Sequence, residues 1–162
     1  MARRVFFSFH FQRDSWRVSQ VRNSNIVTSK YQRNDFLDSA DWENLKKSGE
    51  KAIENWINKQ LEGTSVTVVL IGKETSERKF VQYEIKKSYE KGNGLIGIYI
   101  HGLKNSLGLT DTKGANPFDK FHLGSNSTDL LSRHIKTYDW ILDNGREKIG
   151  DWIEEAARQA GR

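Results

Sequence analysis

The stretch Gly63-Thr64-Ser65-Val66-Thr67-Val68-Val69-Leu70-Ile71-Gly72 decides the fold. Between the two glycines, residues 64–71 are rich in β-branched side chains, so the segment reads as a strand buried on both faces. Such strands belong to parallel sheets covered by helices, and this one is expected to be central. Residues 79–91 then read as a helix. Gly92-Asn93-Gly94 turns the chain into a second apolar run, Leu95-Ile96-Gly97-Ile98-Tyr99-Ile100. Strand, helix and strand in that order make a right-handed βαβ unit. Upstream, Ala52, Ile53, Trp56, Ile57 and Leu61 recur at three- and four-residue spacing in a helix starting near Leu45, with Gly63 past its end as a C-cap.

Residues 4–11, rich in aromatic and branched side chains, are expected to be the first strand, closed by a polar turn at Gln12-Arg13-Asp14. A short helix over 15–22 follows, carrying Val18 and Val21 and capped by Ser15 or Asp14. Residues 24–37 suggest a weak edge strand and 35–42 a loop. The stretch 103–126 contains the only proline, Pro117, and reads as a long irregular connection, a kind of segment that is often functional. A last short strand is expected within 134–142. A closing amphipathic helix over 145–160 presents Ile149, Trp152, Ile153 and Ala156 on one face. The pattern predicts one α/β domain over 1–162, a three-layer sandwich with a mostly parallel central sheet. Its 162 residues and 36% hydrophobic content suit one well-buried core. In a doubly wound sheet, ligands bind beyond the carboxyl ends of the strands, here at 10–14, after Ile71 and after Ile100.

Composition excludes several classes. There is no cysteine, which rules out disulfides, a thiolate nucleophile and Cys-ligated metals. His10, His101, His122 and His134 show no metal-ligand pairing, so no metal is expected. Gly72-Lys73-Glu74-Thr75 lacks the first glycine and the Ser/Thr after lysine of a phosphate loop. Ser8 lacks the glycine-flanked elbow of a hydrolase nucleophile. Twenty-six Lys and Arg against 21 Asp and Glu give a net charge of +5, which favours anionic partners, but the charges are interspersed and no reader motif points to nucleic acid. Arg3-Arg4-Val5-Phe6-Phe7 resembles a twin-arginine signal until His10, Gln12, Arg13 and Asp14 cut its apolar region short. No run is long enough to span a membrane, and a soluble, cytoplasmic protein is expected.

The candidate chemistry centres on Glu84, which with Phe80 lies on one face of the 79–91 helix, so a ring can hold a flat ligand that the carboxylate addresses. Taken alone, Glu84 also fits a solvated carboxylate or an ion-pair partner of Lys87 or Lys91, and Phe80 a core or staple residue.

Together, Val5-Phe6-Phe7-Ser8-Phe9-His10 with Asp14 after it, the strand Val68-Val69-Leu70-Ile71-Gly72 and the Phe80-x-x-x-Glu84 helix resemble a TIR-like domain. The chain resembles in particular the TIR proteins of the bacterial Thoeris anti-phage system, most clearly from Arg3 to about Lys91, with Asn116-Pro117-Phe118 in keeping. The resemblance implies a flavodoxin-like fold and cleavage of NAD, as substrate rather than cofactor, to nicotinamide and a cyclic ADP-ribose isomer that signals to a separate effector protein. It places catalysis on Glu84. Phe80 stands where the family usually carries tryptophan, and Ser76 four residues before it where a serine normally stands two before. Phe6 and Phe80 are expected to line the site, with His10, Arg13 and Asp14 at its mouth. Activity is expected to depend on a trigger and on self-association, with residues 35–42 completing a neighbour's site. The alternative is a non-enzymatic flavodoxin-like or TIR signalling module that binds a partner protein through its strand ends. An ordinary receiver is disfavoured, because Asp14 has no adjacent acidic partner for magnesium.

Overall fold

The computed structural model describes residues 2–125 and 128–162. Asn126, the end of the expected long connection, lies outside the described residues. Five parallel strands, β1 (Arg3–Ser8), β2 (Tyr31–Arg33), β3 (Val66–Ile71), β4 (Gly94–Tyr99) and β5 (Thr137–Asp139), form one sheet in the order β2-β1-β3-β4-β5. This is the flavodoxin-like order 2-1-3-4-5. All six residues of β3 are buried, as its unbroken apolar run requires.

Helices α1 (Phe11–Arg22), α2 (Asn25–Lys30) and α6 (Gly145–Gln159) cover one face of the sheet. There Val5 and Phe7 meet Val18, Val21, Ile149 and Ile153. On the other face, α4 (Glu50–Leu61) packs Ile53 and Ile57 against Phe6, and α5 (Lys79–Lys91) packs Val81 and Ile85 against Val69 and Ile71. Helices on both sides of a parallel sheet give the three layers.

Several boundaries differ from the sequence reading. The first strand ends at Ser8, and Gln12-Arg13-Asp14 is not a turn but the first turn of α1, begun by the bond from Asp14 N to His10 O at 3.0 Å. Those polar side chains look like a turn because Arg13 and Asp14 join a charged layer and Gln12 lines a cleft, rather than facing the apolar core. Ile26 and Val27 lie in α2, which leaves only three residues to β2. Residues 35–42 are loop only as far as Asp38, whose carboxylate accepts from Asp41 N at 2.7 Å and caps a further helix, α3 (Ser39–Lys47). The expected helix from Leu45 is therefore two, broken at Gly49, whose φ of 95° suits glycine.

The long connection is fastened at both ends. Arg17 donates to the carbonyls of Leu103 at 2.8 Å and Leu109 at 2.9 Å. Further on, Asn116 Oδ1 caps the short 3-10 helix Pro117–Lys120 by accepting from Phe118 N at 2.9 Å, and the Phe118 ring is fully buried beside Ile71, Val81 and Ile85. No helix among the described residues is long and apolar enough to cross a membrane.

Candidate active site

Two elements meet where the site forms. β1 delivers Ser8 at its carboxyl end, and α5 packs beside it with Glu84 in its middle. Ser8 Oγ donates to Glu84 Oε1 at 2.6 Å across 76 residues of sequence. The pleat explains the pairing: Val5 and Phe7 face α1 and α6, so Phe6 and Ser8 face α4 and α5. Glu84 is 8% exposed and lines a cleft together with Phe80, His10, Arg78, Phe11 and Trp42. With its open mouth counted, the cleft encloses about 660 Å³.

Burial pushes the Glu84 carboxyl up to about 8, against the hydrogen bond from Ser8, which favours the charged form. Neither bland reading of Glu84 holds, because it is neither solvated nor paired with a lysine; Lys87 pairs instead with Glu90 at 3.5 Å. A carboxyl that titrates near neutrality can hold charge or proton at small cost, which suits acid–base and electrostatic chemistry. Replacing Ser8 by alanine removes the one group that lowers this value. The Glu84 midpoint is expected to rise by about one pH unit, the worth of a hydrogen bond to a charged group. A ¹³C titration of the side-chain carboxyl reads it directly, and an unmoved midpoint would show that the Ser8 contact carries no weight.

The other expected site residues divide. Phe80 and His10 line the cleft with Glu84. Phe6 does not: its ring is fully buried with Ile53, Ile57 and Leu61 beneath α4, because it lies deeper along β1 than Ser8. Arg13 and Asp14 are not among the cleft-lining residues either. They belong to an ion-pair layer on the far side of the β1 exit, where Arg13 pairs with Asp111 and, at 3.3 Å, with Glu74, while Arg17 lies 3.9 Å from Asp14. Asp14 is fully buried against Gly72, where a Cβ would overlap its carboxylate, and burial holds its carboxyl above the usual range.

Sequence reasoning missed Ser8 as the partner of Glu84 and the aromatic mouth of the cleft. Phe9 stacks on Phe36 with ring centres 5.7 Å apart, and Phe11 lies 5.2 Å from Trp42. Trp42, in the 35–42 stretch expected to complete a neighbour's site, covers the cleft of its own chain, and its buried indole N–H has no acceptor among the described residues. The available signal was the aromatic density of Phe6-Phe7-Ser8-Phe9-His10-Phe11, which exceeds what one strand can bury. Among the described residues, no group of three His, Asp or Glu side chains gathers to hold a metal ion.

The family model described as "Thoeris protein ThsB, TIR-like domain" matches residues 6–105. A curated Bacillus cereus (strain MSX-D12) protein named "Putative cyclic ADP-D-ribose synthase ThsB1" is 35% identical over 191 aligned positions, covering 94% of this chain and 100% of that relative. The chain belongs to the ThsB TIR-like family of Thoeris proteins. The region matched to the ThsB family holds His10, Trp42, Phe80 and Glu84 and every other residue that lines the cleft, together with Ser8 behind Glu84. It stops short of Phe118 and α6, which complete the core.

Proposed function

We propose that this chain is an NAD-cleaving TIR enzyme of anti-phage defence, one domain over 1–162, that releases nicotinamide and a cyclic ADP-ribose isomer. The observation that carries the reading is Glu84, buried at an aromatic cleft with Ser8 as its only hydrogen-bond partner among the described residues. The relative's name supplies the product class. NAD is substrate here, and no further cofactor is invoked.

Nicotinamide leaves NAD as a neutral base, taking the electron pair of the glycosidic bond, so no acid is needed to protonate it. This differs from an ordinary glycoside, whose hydrolysis recruits two carboxylates. Positive charge then builds on the ribose, and the Glu84 carboxylate beside it stabilises that state in a site screened from water. With its carboxyl pushed up to about 8, roughly a tenth of free sites carry the charge at pH 7. The pyridinium of bound NAD brings a positive charge into the cleft and favours the carboxylate. Ring closure follows when a nucleophile of the same ADP-ribose attacks the anomeric carbon; a hydroxyl nucleophile gives its proton to Glu84, whose raised affinity for protons suits it as acceptor. Phe80 and Phe11 give the flat base apolar walls.

The product diffuses to a separate effector, and the enzyme works in the cytoplasm after a phage trigger and self-association. Trp42, on α3, whose residues are all at least partly exposed, is the side chain best placed to couple assembly to the cleft. Trp42→Ala is expected to weaken both assembly and turnover, as read by sedimentation and NAD consumption; a variant that matches its parent in both removes that role. The activity is tested by incubating the protein with NAD, at high concentration and in lysate of phage-infected cells, and following nicotinamide and ADP-ribose products by mass spectrometry. Nicotinamide with a cyclic product is the expected result. No turnover by folded protein under either condition would leave a binding module.

A further inference from the structure

The cleft holds one arginine and no lysine among the described residues that line it, and that arginine is Arg78. It stands at the N-cap of α5, exposed on the cleft wall, and no carboxylate among the described residues pairs with it. Close by, Arg13 takes Asp111 and Glu74, and Lys79 takes Glu50 at 2.7 Å, so the cation left facing the cleft is Arg78.

Two features converge on the same spot. The first turn of α5 has no side-chain cap, so its leading backbone N–H groups and the positive end of a 13-residue helix are free to meet an anion. His10, 7% exposed and lining the cleft, makes no hydrogen bond with its ring among the described residues; the nearest acceptor, Glu74 Oε1, is 4.0 Å away, and Glu74 is engaged by Arg13. Burial and the nearby Arg78 charge both lower the proton affinity of His10, which keeps the ring neutral and able to donate one hydrogen bond near pH 7.

From Arg78, His10 and the open α5 terminus, we infer that this end of the cleft is the pyrophosphate subsite of the dinucleotide, with Arg78 as its principal cation. Arg78 precedes Glu84 by six residues, about 9 Å along the helix axis. That span takes the substrate from its glycosidic carbon at Glu84, across ribose and the 5′ carbon, to its phosphates. Arg13 does not touch the phosphates; its pairing with Glu74 offsets the charge of the carboxylate nearest His10. A guanidinium that grips both phosphates fixes the nicotinamide ribose against Glu84 and explains why a site with one catalytic carboxylate selects a dinucleotide.

The inference rests on the proposed activity, and the test separates the two. Binding of ADP-ribose, which carries the pyrophosphate, and of nicotinamide riboside, which carries none, is measured by calorimetry for the parent, Arg78→Ala and Arg78→Lys, beside NAD turnover. Arg78→Ala is expected to weaken ADP-ribose about 10- to 100-fold and raise the KM for NAD similarly, with nicotinamide riboside unchanged. Arg78→Lys, which keeps the charge but loses the bidentate fork, is expected to recover part of the loss. ADP-ribose bound equally by the parent and Arg78→Ala, or both ligands weakened alike, overturns the subsite and leaves the activity standing. A parent that does not bind ADP-ribose, and does not consume NAD either at high concentration or in lysate of phage-infected cells, overturns both.

Discussion

Glu84→Gln is expected to lower NAD turnover at least about 10²- to 10³-fold, the usual cost of removing a charge-stabilising group from a preorganised site. The same substitution is expected to make the protein more stable at alkaline pH. The carboxyl has its ordinary value of 4.5 in the unfolded chain and about 8 in the fold, so the folded state binds the extra proton. An acid held up in this way stabilises the fold below pH 4.5, and the advantage is lost as pH rises through 8. The charged side chain then costs on the order of 5 kcal/mol, at about 1.4 kcal/mol for each tenfold gain in proton affinity. Glutamine keeps the shape and the acceptor for Ser8 Oγ but never ionises. Its melting temperature is expected to match the parent near pH 5 and exceed it by about 5 °C above pH 8, well under the roughly 10–20 °C of the full cost because the new amide also wants partners. The contrast, activity lost while stability rises, marks a group kept for chemistry at the expense of the fold. Unchanged turnover, or a melting difference that ignores pH, would remove Glu84 from the mechanism.

Phe118→Ala is expected to be the most damaging change outside the sheet, costing about 3–5 kcal/mol. The ring is fully buried among Ile71, Val81, Ile85 and Leu131, close enough to β4 that a Cβ on Gly97 would lie 3.1 Å from it. Its removal leaves a cavity that β3, α5 and β4 cannot all close. Leu107 lies on the same connection but is 79% exposed, and Leu107→Ala is expected to change stability by less than about 0.5 kcal/mol. Chemical denaturation of the two variants measures both. If they lose stability equally, the connection is a surface loop and Phe118 is not part of the core. The pair also bears on the site, since Val81 and Ile85 lie on the same helix as Glu84 and set where its carboxyl stands.

The sequence reading succeeded where one side chain's environment follows from its neighbours in the chain. Val66–Ile71 has no polar face to turn toward water, so both its faces must be covered, and a strand covered on both faces calls for helices on either side of a parallel sheet. Ile53, Ile57 and Leu61 fixed α4 by spacing alone, and Phe80 and Glu84 had to share a face of α5. It failed where the partner is distant. Gln12, Arg13 and Asp14 look like a turn until Glu74 and Asp111 arrive to pair with Arg13. Phe6 and Ser8 share a face of β1, yet one is sealed under α4 and the other meets Glu84; nothing local distinguishes them. Ile26 and Val27, β-branched and suited to a strand, are held in α2 because Val27 packs into the core from there.

By itself, then, the sequence determined the layer architecture, the parallel sheet and the face of α5 that carries Phe80 and Glu84, because these follow from hydrophobic periodicity within single elements. The tertiary structure alone decided that the Glu84 carboxyl is buried, that Ser8 holds it, that Trp42 closes its own chain's cleft, and that Arg78 is left without a counterion among the described residues. Each of these depends on groups separated by tens of residues, and a proton's affinity or an arginine's partner is set by the space around it, which only the folded chain encloses.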